Sequence, residues 1–185
     1  MLKRTMDIVF SVLALAALLP IFLLAAFAIS LESGWPVLFK QTRVGMQARE
    51  FGMYKFRSMV KNAAVMGPYH TASNDPRITR VGRFIRKTSI DELPQILNVL
   101  RGDMSLVGPR PDVPVQRADY TEAQWSQRCS VRPGITGLAQ ALYRSNCTQE
   151  QRVEADLRYT REANVWLDLK IMLMTVKRLS GKGGN

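Results

Sequence analysis

Histidine and cysteine are scarce in this sequence, and acid is scarce relative to base. There is one histidine, His70, and there are two cysteines, Cys129 and Cys147, in 185 residues. The cysteines stand eighteen positions apart with no CxxC, and His70 has no Cys or His near it at ligand spacing. A zinc site and a disulfide framework are therefore excluded, His70 takes no role, and a reduced, cytoplasmic setting is the default. No internal repeat is present, nor any low-complexity tract beyond the closing SGKGGN. Lysine and arginine number 26 against 15 acidic residues, a net charge of +11 that asks for an anionic partner. Nucleic acid, an anionic membrane surface and a phosphorylated substrate would all serve.

What the chain does have is one long apolar run. Ile8 to Leu31 holds 24 residues without a charge, enough for a bilayer crossing at ~20 residues and too long for a signal-peptide core. Pro20 stands in its middle, where the missing N–H and the ring predict a kink. Lys3 and Arg4 precede the run, and Lys40, Arg43, Arg49, Lys55 and Arg57 follow it, so both flanks are basic and charge does not decide the topology. Two arrangements stay open at this point: a kinked helix that spans, and a re-entrant segment that bends at Pro20 and returns to the same face. The expected division is a membrane helix over 1–35 and a single domain on the membrane surface over 36–185.

After Gly34-Trp35-Pro36, VLFKQTRVG and FGMYKFRSM read as two strands of a small hairpin. Period-two alternation in the second puts Met53, Lys55, Arg57 and Met59 on one face. RITRVGRFIRK sets Arg77, Arg80, Arg83 and Arg86 at three-residue spacing among apolar residues, an amphipathic stretch suited to anionic lipid or phosphate. In GDMSLVGPRPD, Arg110 lies between two prolines, a stiff mounting for bidentate phosphate binding. RPGITG reads as a Pro-Gly turn. The last segment, NVWLDLKIMLMTVKRL, reads as an interfacial helix kept out of the bilayer core by Asp168, Lys170, Lys177 and Arg178, with Met172 and Met174 as packing residues. The fold class expected is α+β, mainly helical.

TSIDELPQ, residues 88–95, brings Asp91 and Glu92 together beside Pro94. As local structure it reads as a helix N-terminus, with Ser89 or Asp91 as the cap and Gly102 closing the helix. As chemistry, a carboxylate held ionised at such a terminus is in the state a nucleophile needs. The two readings are compatible.

KRTMDIVFS, YKFRSM, RITRVGRFIRKTSIDELPQILNVLRGDMSLVGPRP, VRPGITGLAQ and WLDLKIMLMTVKRL, in this order, resemble the bacterial sugar transferases, the monotopic phosphoglycosyl transferases, over most of Lys3 to Leu179. The resemblance implies a re-entrant helix bent at Pro20, a magnesium ion, and Asp91 and Glu92 as the catalytic pair. It implies that Asp91 attacks the sugar-linked phosphate of a UDP-sugar, releasing UMP. Polyprenyl (undecaprenyl) phosphate then takes the sugar phosphate, at the cytoplasmic face of a bacterial inner membrane. Leu19 stands before Pro20 where the family often has serine, and ALYRSN follows GLAQ where VNGRN is usual. The residues suit that chemistry, with Lys55, Arg57 and Arg110 as a phosphate clamp, Asp91 and Glu92 as magnesium ligands, and proton acceptance as the other role open to Glu92. The alternative from another class is a membrane-tethered basic module that binds nucleic acid or anionic lipid without catalysis; no recognised nucleic-acid motif supports it.

Overall fold

The computed structural model describes residues 2–63, 65–67, 75–143 and 147–179. His70, residues 144–146 of the loop after GLAQ, and the SGKGGN tail lie outside them. Seven α-helices dominate the described residues: α1 Leu2–Ser33, α2 Arg80–Lys87, α3 Gln95–Arg101, α4 Glu122–Arg128, α5 Leu138–Tyr143, α6 Gln149–Glu162 and α7 Val165–Leu179. The four strands are β1 Leu38–Val44, β2 Glu50–Phe56, β3 Ser105–Val107 and β4 Gly134–Thr136. The first two form the expected antiparallel hairpin, with Phe39 opposite Lys55. The other two make a short parallel pair, so RPGITG runs into a strand and is not a simple turn. β4 is stabilised by a partner 29 residues upstream, which no local turn signal reports.

Helix α1 is apolar and has only Asp7, Ser11, Ala25 and Ile29 buried; Val12, Leu13, Leu19, Pro20, Leu23 and Leu24 in its middle are exposed. Its two ends are tied to the rest of the protein. At the start, Arg4 donates to the carbonyls of Val99 and Leu100 at 2.6 and 3.0 Å, closing the C-terminus of α3, where cations are favoured. The Lys3 ammonium reaches Asp168 at 2.6 Å and the Val107 carbonyl at 3.1 Å. Asp7 accepts from the Ser105 hydroxyl and the Leu106 amide, both at 3.0 Å. At the far end, Glu32 accepts from the amides of Arg80 and Val81 at 2.7 and 2.9 Å and so caps α2 alongside Thr79, which accepts from Gly82. Ala25 and Ile29 pack there with Val37, Phe56 and Ile85.

Several local expectations are corrected. Gly102, at φ 95°, closes α3 as expected. Neither Ser89 nor Asp91 caps it. Ser89 sits in the left-handed region at φ 59°, Ile90–Glu92 form one 3₁₀ turn, and the α-helix proper starts at Gln95 with Pro94 as its cap residue. A proline lacks the N–H that an interior position would need, so the helix starts after it. Asp168 does not solvate α7; it is fully buried, held by Lys3 and by the Tyr159 hydroxyl at 2.7 Å. Met172 and Met174 do pack, against the cluster around Val107, Tyr159 and Ile171. Arg77 leaves the surface row of arginines and pairs with Asp75 in a buried site.

Candidate active site

The 3₁₀ turn holds Asp91 and Glu92 in different environments. Glu92 is locked: Arg110 grips it through both guanidinium nitrogens, at 2.5 Å to Oε1 and 3.2 Å to Oε2, and the Lys55 ammonium adds 2.9 Å to Oε1. Burial pushes the Glu92 carboxyl up, but the two cations outweigh it and hold its pKa at about 2. Asp91 is 9% exposed, and among the described residues nothing donates a hydrogen bond to its carboxylate. Burial, with the Glu92 charge beside it, raises its pKa above the usual aspartate value against the pull of Lys55, Arg86 and Arg110. The adjacent carboxylates therefore differ: one is a fixed anion, and the other has no hydrogen-bond donor among the described residues.

The same geometry corrects the expectation that helix capping holds Asp91 ionised, because it caps nothing. It also yields a test. In Glu92→Gln the like charge disappears and Lys55 and Arg110 lose the carboxylate that pairs them, so the Asp91 pKa falls. The acid limb of the pH–rate profile, which tracks ionisation of an essential carboxylate, is expected to move to lower pH in Glu92→Gln even as the rate drops. An unmoved acid limb would separate Asp91 from the rate.

Each cation is positioned by a different part of the fold. Lys55 is on β2, whose edge is held by Asn98 of α3: its side-chain amide donates to the Gly52 carbonyl at 2.8 Å and its oxygen accepts from the Tyr54 amide at 2.9 Å. Arg110 leaves a loop in which four successive carbonyls are bonded. Pro109 accepts from the Gly134 amide at 2.9 Å, Arg110 from Arg128, Pro111 from Arg43 at 2.9 Å and Asp112 from the Val44 amide at 2.9 Å. Behind it Arg128 bridges Asp112 and Asp156, both at 3.0 Å, and Arg152 reaches Asp112 at 3.1 Å and the Tyr120 hydroxyl at 2.8 Å. Two prolines therefore supply only part of the stiffness; the carbonyl bonds and the buried charges supply the rest.

Of the sequence candidates, the structure joins Asp91, Glu92, Lys55 and Arg110. Arg57 goes elsewhere: its guanidinium donates to the carbonyl of Ser33, at 2.9 Å, and to that of Gly34, closing the end of α1. The alternation of β2 puts Lys55 and Arg57 on one face, but the C-terminus of α1 intercepts the second. Residues that sequence reasoning left out of the site are Arg43, Asp112, Arg128, Arg152 and Asp156, which build the Arg110 loop, and Arg86, whose charge acts on Asp91. Arg86 belonged to the three-residue arginine row, and that spacing was its only signal. The lysine and two carboxylates also bear on a metal. Among the described residues no three acidic, histidine or cysteine side chains gather as a ready-made cage. Magnesium takes one or two carboxylates and fills its shell with water and substrate phosphate, so the unbonded Asp91 carboxylate beside Glu92 fits that pattern.

A cavity of about 420 Å³ borders Glu92 and Arg110, lined further by Ser89, Leu93, Ile96, Leu106, Ile135, Thr136, Gln140 and Thr175. An ion-paired acid and a stiffly held guanidinium border this cavity, with Asp91 next to Glu92 in the chain, a set of charges suited to an anionic group.

Comparison with known proteins agrees. The undecaprenyl-phosphate glucose phosphotransferase of Komagataeibacter xylinus is 47% identical over 95% of this chain and 35% of its own length. The UDP-glucose:undecaprenyl-phosphate glucose-1-phosphate transferase of Caulobacter vibrioides is 45% identical over 96% of this chain and 69% of its own length. The exopolysaccharide production protein PSS of Rhizobium leguminosarum is 44% identical over 98% of both. The chain thus spans little more than a third of the first of these relatives and nearly all of the last. The profile of the bacterial sugar transferases matches residues 1–182, and the chain belongs to that family.

Proposed function

We propose that this chain transfers a sugar 1-phosphate from a UDP-sugar to polyprenyl phosphate, most simply undecaprenyl phosphate, and releases UMP. The observation that carries it is the unequal pair: a buried Asp91 whose carboxylate has no hydrogen-bond donor among the described residues, next to a Glu92 that two cations hold in place. An Asp91 oxygen attacks the sugar-linked phosphorus, the bond from phosphorus to the bridging oxygen breaks, and UMP leaves with that electron pair. An oxygen of the lipid phosphate then attacks the aspartyl phosphosugar and Asp91 departs as a carboxylate. Lys55, Arg86 and Arg110 draw the diphosphate in and neutralise its charge, while Glu92 keeps Lys55 and Arg110 together. Magnesium would be held by Glu92 and Asp91 with the diphosphate, and when bound it supplies further charge neutralisation for the leaving UMP.

A membrane location suits a lipid substrate, and α1 supports a re-entrant form of it. From Lys3 to Glu32 an α-helix covers about 44 Å, more than the roughly 38 Å breadth of a compact domain of this size, yet both ends bond to the same folded body while the middle is exposed. A bend at Pro20 reconciles these facts and keeps both termini on the cytoplasmic face, where nucleotide sugars are. Single cysteines near positions 2 and 183, in a chain lacking Cys129 and Cys147, are expected to resist a membrane-impermeant thiol reagent until cells are opened. Labelling of the N-terminal site from outside would establish a spanning helix, and Pro20→Leu is expected to increase such labelling. The alternative of a basic binding module is less supported, since Lys55, Arg110, Arg128 and Arg152 are engaged with carboxylates and do not form an open face.

The experiment is to incubate the purified protein with magnesium, polyprenyl phosphate and a panel of UDP-sugars and to measure UMP. Omitting the lipid should leave one equivalent of UMP and a sugar-phosphate adduct on the Asp91 peptide. Absence of UMP with every sugar would refute the reaction.

A further inference from the structure

One side chain on the wall of the cavity beside Glu92 and Arg110 is without partners. Both polar atoms of the Gln140 amide, on α5, are shut off from solvent and hydrogen-bond to none of the described residues. A buried amide in that state is costly, and native proteins keep few of them. The neighbouring polar groups are satisfied: the Thr136 and Thr175 hydroxyls bond each other at 2.8 Å, Thr175 donates to the Ile171 carbonyl at 2.8 Å, and Arg110 and Glu92 hold one another. Gln140 therefore has one acceptor and two donors unused. It also sits against the Arg110 loop. A Cβ on Gly137 would come within 2.9 Å of the Gln140 oxygen and 2.2 Å of the Gly108 carbonyl, so only a glycine at 137 leaves room for that approach.

We propose that this cavity is the subsite for the sugar of the UDP-sugar, and that the Gln140 amide hydrogen-bonds a hydroxyl of that sugar; the inference rests on the transfer reaction above. The sugar is bonded directly to the phosphate that Asp91 attacks, so it must lie beside Glu92 and Arg110, whereas uracil is separated from that phosphate by a second phosphate and a ribose. A pyranose offers an apolar C–H face, suited to Leu93, Ile96, Leu106 and Ile135, and a rim of hydroxyls that both donate and accept, as a primary amide does. A polyprenyl chain would match the aliphatic wall but leave the amide unpaired.

The test uses the 185-residue chain in detergent and measures UMP release from whichever UDP-hexose it turns over fastest and from the singly deoxygenated analogues of that sugar. Wild type is expected to lose about tenfold or more in kcat/KM on one analogue, because a site built to bond a hydroxyl rejects a sugar without it. Gln140→Leu should suffer a similar loss on the parent sugar and little further loss on that analogue, with the KM for polyprenyl phosphate within about twofold of wild type. Gln140→Asn, or Gln140→Met if the leucine variant does not purify, should flatten the same ratio. A common loss across all sugars, with their ratios unchanged, would overturn the proposal in favour of a uracil-binding or structural role. A raised KM for polyprenyl phosphate with unchanged sugar ratios would give the cavity to the lipid. If wild type releases no UMP from any UDP-sugar, the transfer reaction itself fails, which is a distinct result.

Discussion

Replacing Asp91 by Asn is expected to lower UMP release by about 10⁴-fold or more and to leave the protein folded. An amide of the same shape cannot attack phosphorus. Structurally the exchange is mild, because the Asp91 carboxylate makes no hydrogen bond to the described residues and burial already disfavours its charge. Removing that charge should therefore keep the melting temperature or raise it, in contrast to a capping aspartate, whose loss weakens a helix. The measurement pairs thermal unfolding in detergent with a search for the sugar-phosphate adduct by mass spectrometry. Near-wild-type UMP release from Asp91→Asn would remove Asp91 from the nucleophile's role.

The second large effect is expected far from any reacting atom. Arg128→Met should destabilise the protein by about 3–5 kcal/mol, the cost of breaking a buried ion pair by removing one partner, and abolish activity in the molecules that remain folded. Asp112 and Asp156 are each 1% exposed, and Arg128 also holds the Arg110 carbonyl, so its loss strands Asp156, leaves Asp112 to Arg152 and Tyr120, and frees the loop that aims Arg110. Asp156→Asn should be far gentler. Burial pushes the Asp156 carboxyl up to about 6 against the pull of Arg128, and one of its oxygens has no partner, so the ionised form is held at a cost. A folded-state pKa above the unfolded 3.8 means that the contribution of Asp156 to stability is complete below about pH 4 and fades as pH rises through 6. Urea unfolding of both variants at pH 8 checks the contrast; equal losses would mean that Arg128 acts through Asp156 alone.

These two sites differ in how far the sequence discloses them. Asp91 and Glu92 are adjacent in a distinctive motif, and Lys55 and Arg110 each sit in a short pattern that argues for an aimed cation. The Arg128 network has no such trace: Asp112, Arg128, Arg152 and Asp156 are separate charges on a loop and two helices, and only the packing of α4 on α6 and the loop makes them a unit. Local chemistry also misleads where a backbone angle overrides it. Ser-Ile-Asp-Glu looks like a capping box, but Ser89 takes a left-handed backbone and its side chain makes no cap bond. On β2 the alternation names the face that Lys55 and Arg57 share, yet not that the end of α1 arrives to claim Arg57.

The ties at both ends of α1 bear on the kind of bilayer the protein can use. A spanning helix has to match its apolar length to the hydrocarbon thickness, and mismatch is met by tilting or by distorting the lipid. Here Lys3, Arg4 and Asp7 fasten one end, and Glu32 and Ser33 fasten the other, to one body of fixed dimensions. In the re-entrant arrangement proposed above, the folded body sets the separation of those ends, and bilayer thickness does not. Turnover in vesicles should accordingly change little as the acyl chains are lengthened, a tolerance that would let one protein work unaltered in membranes whose thickness varies with temperature and growth.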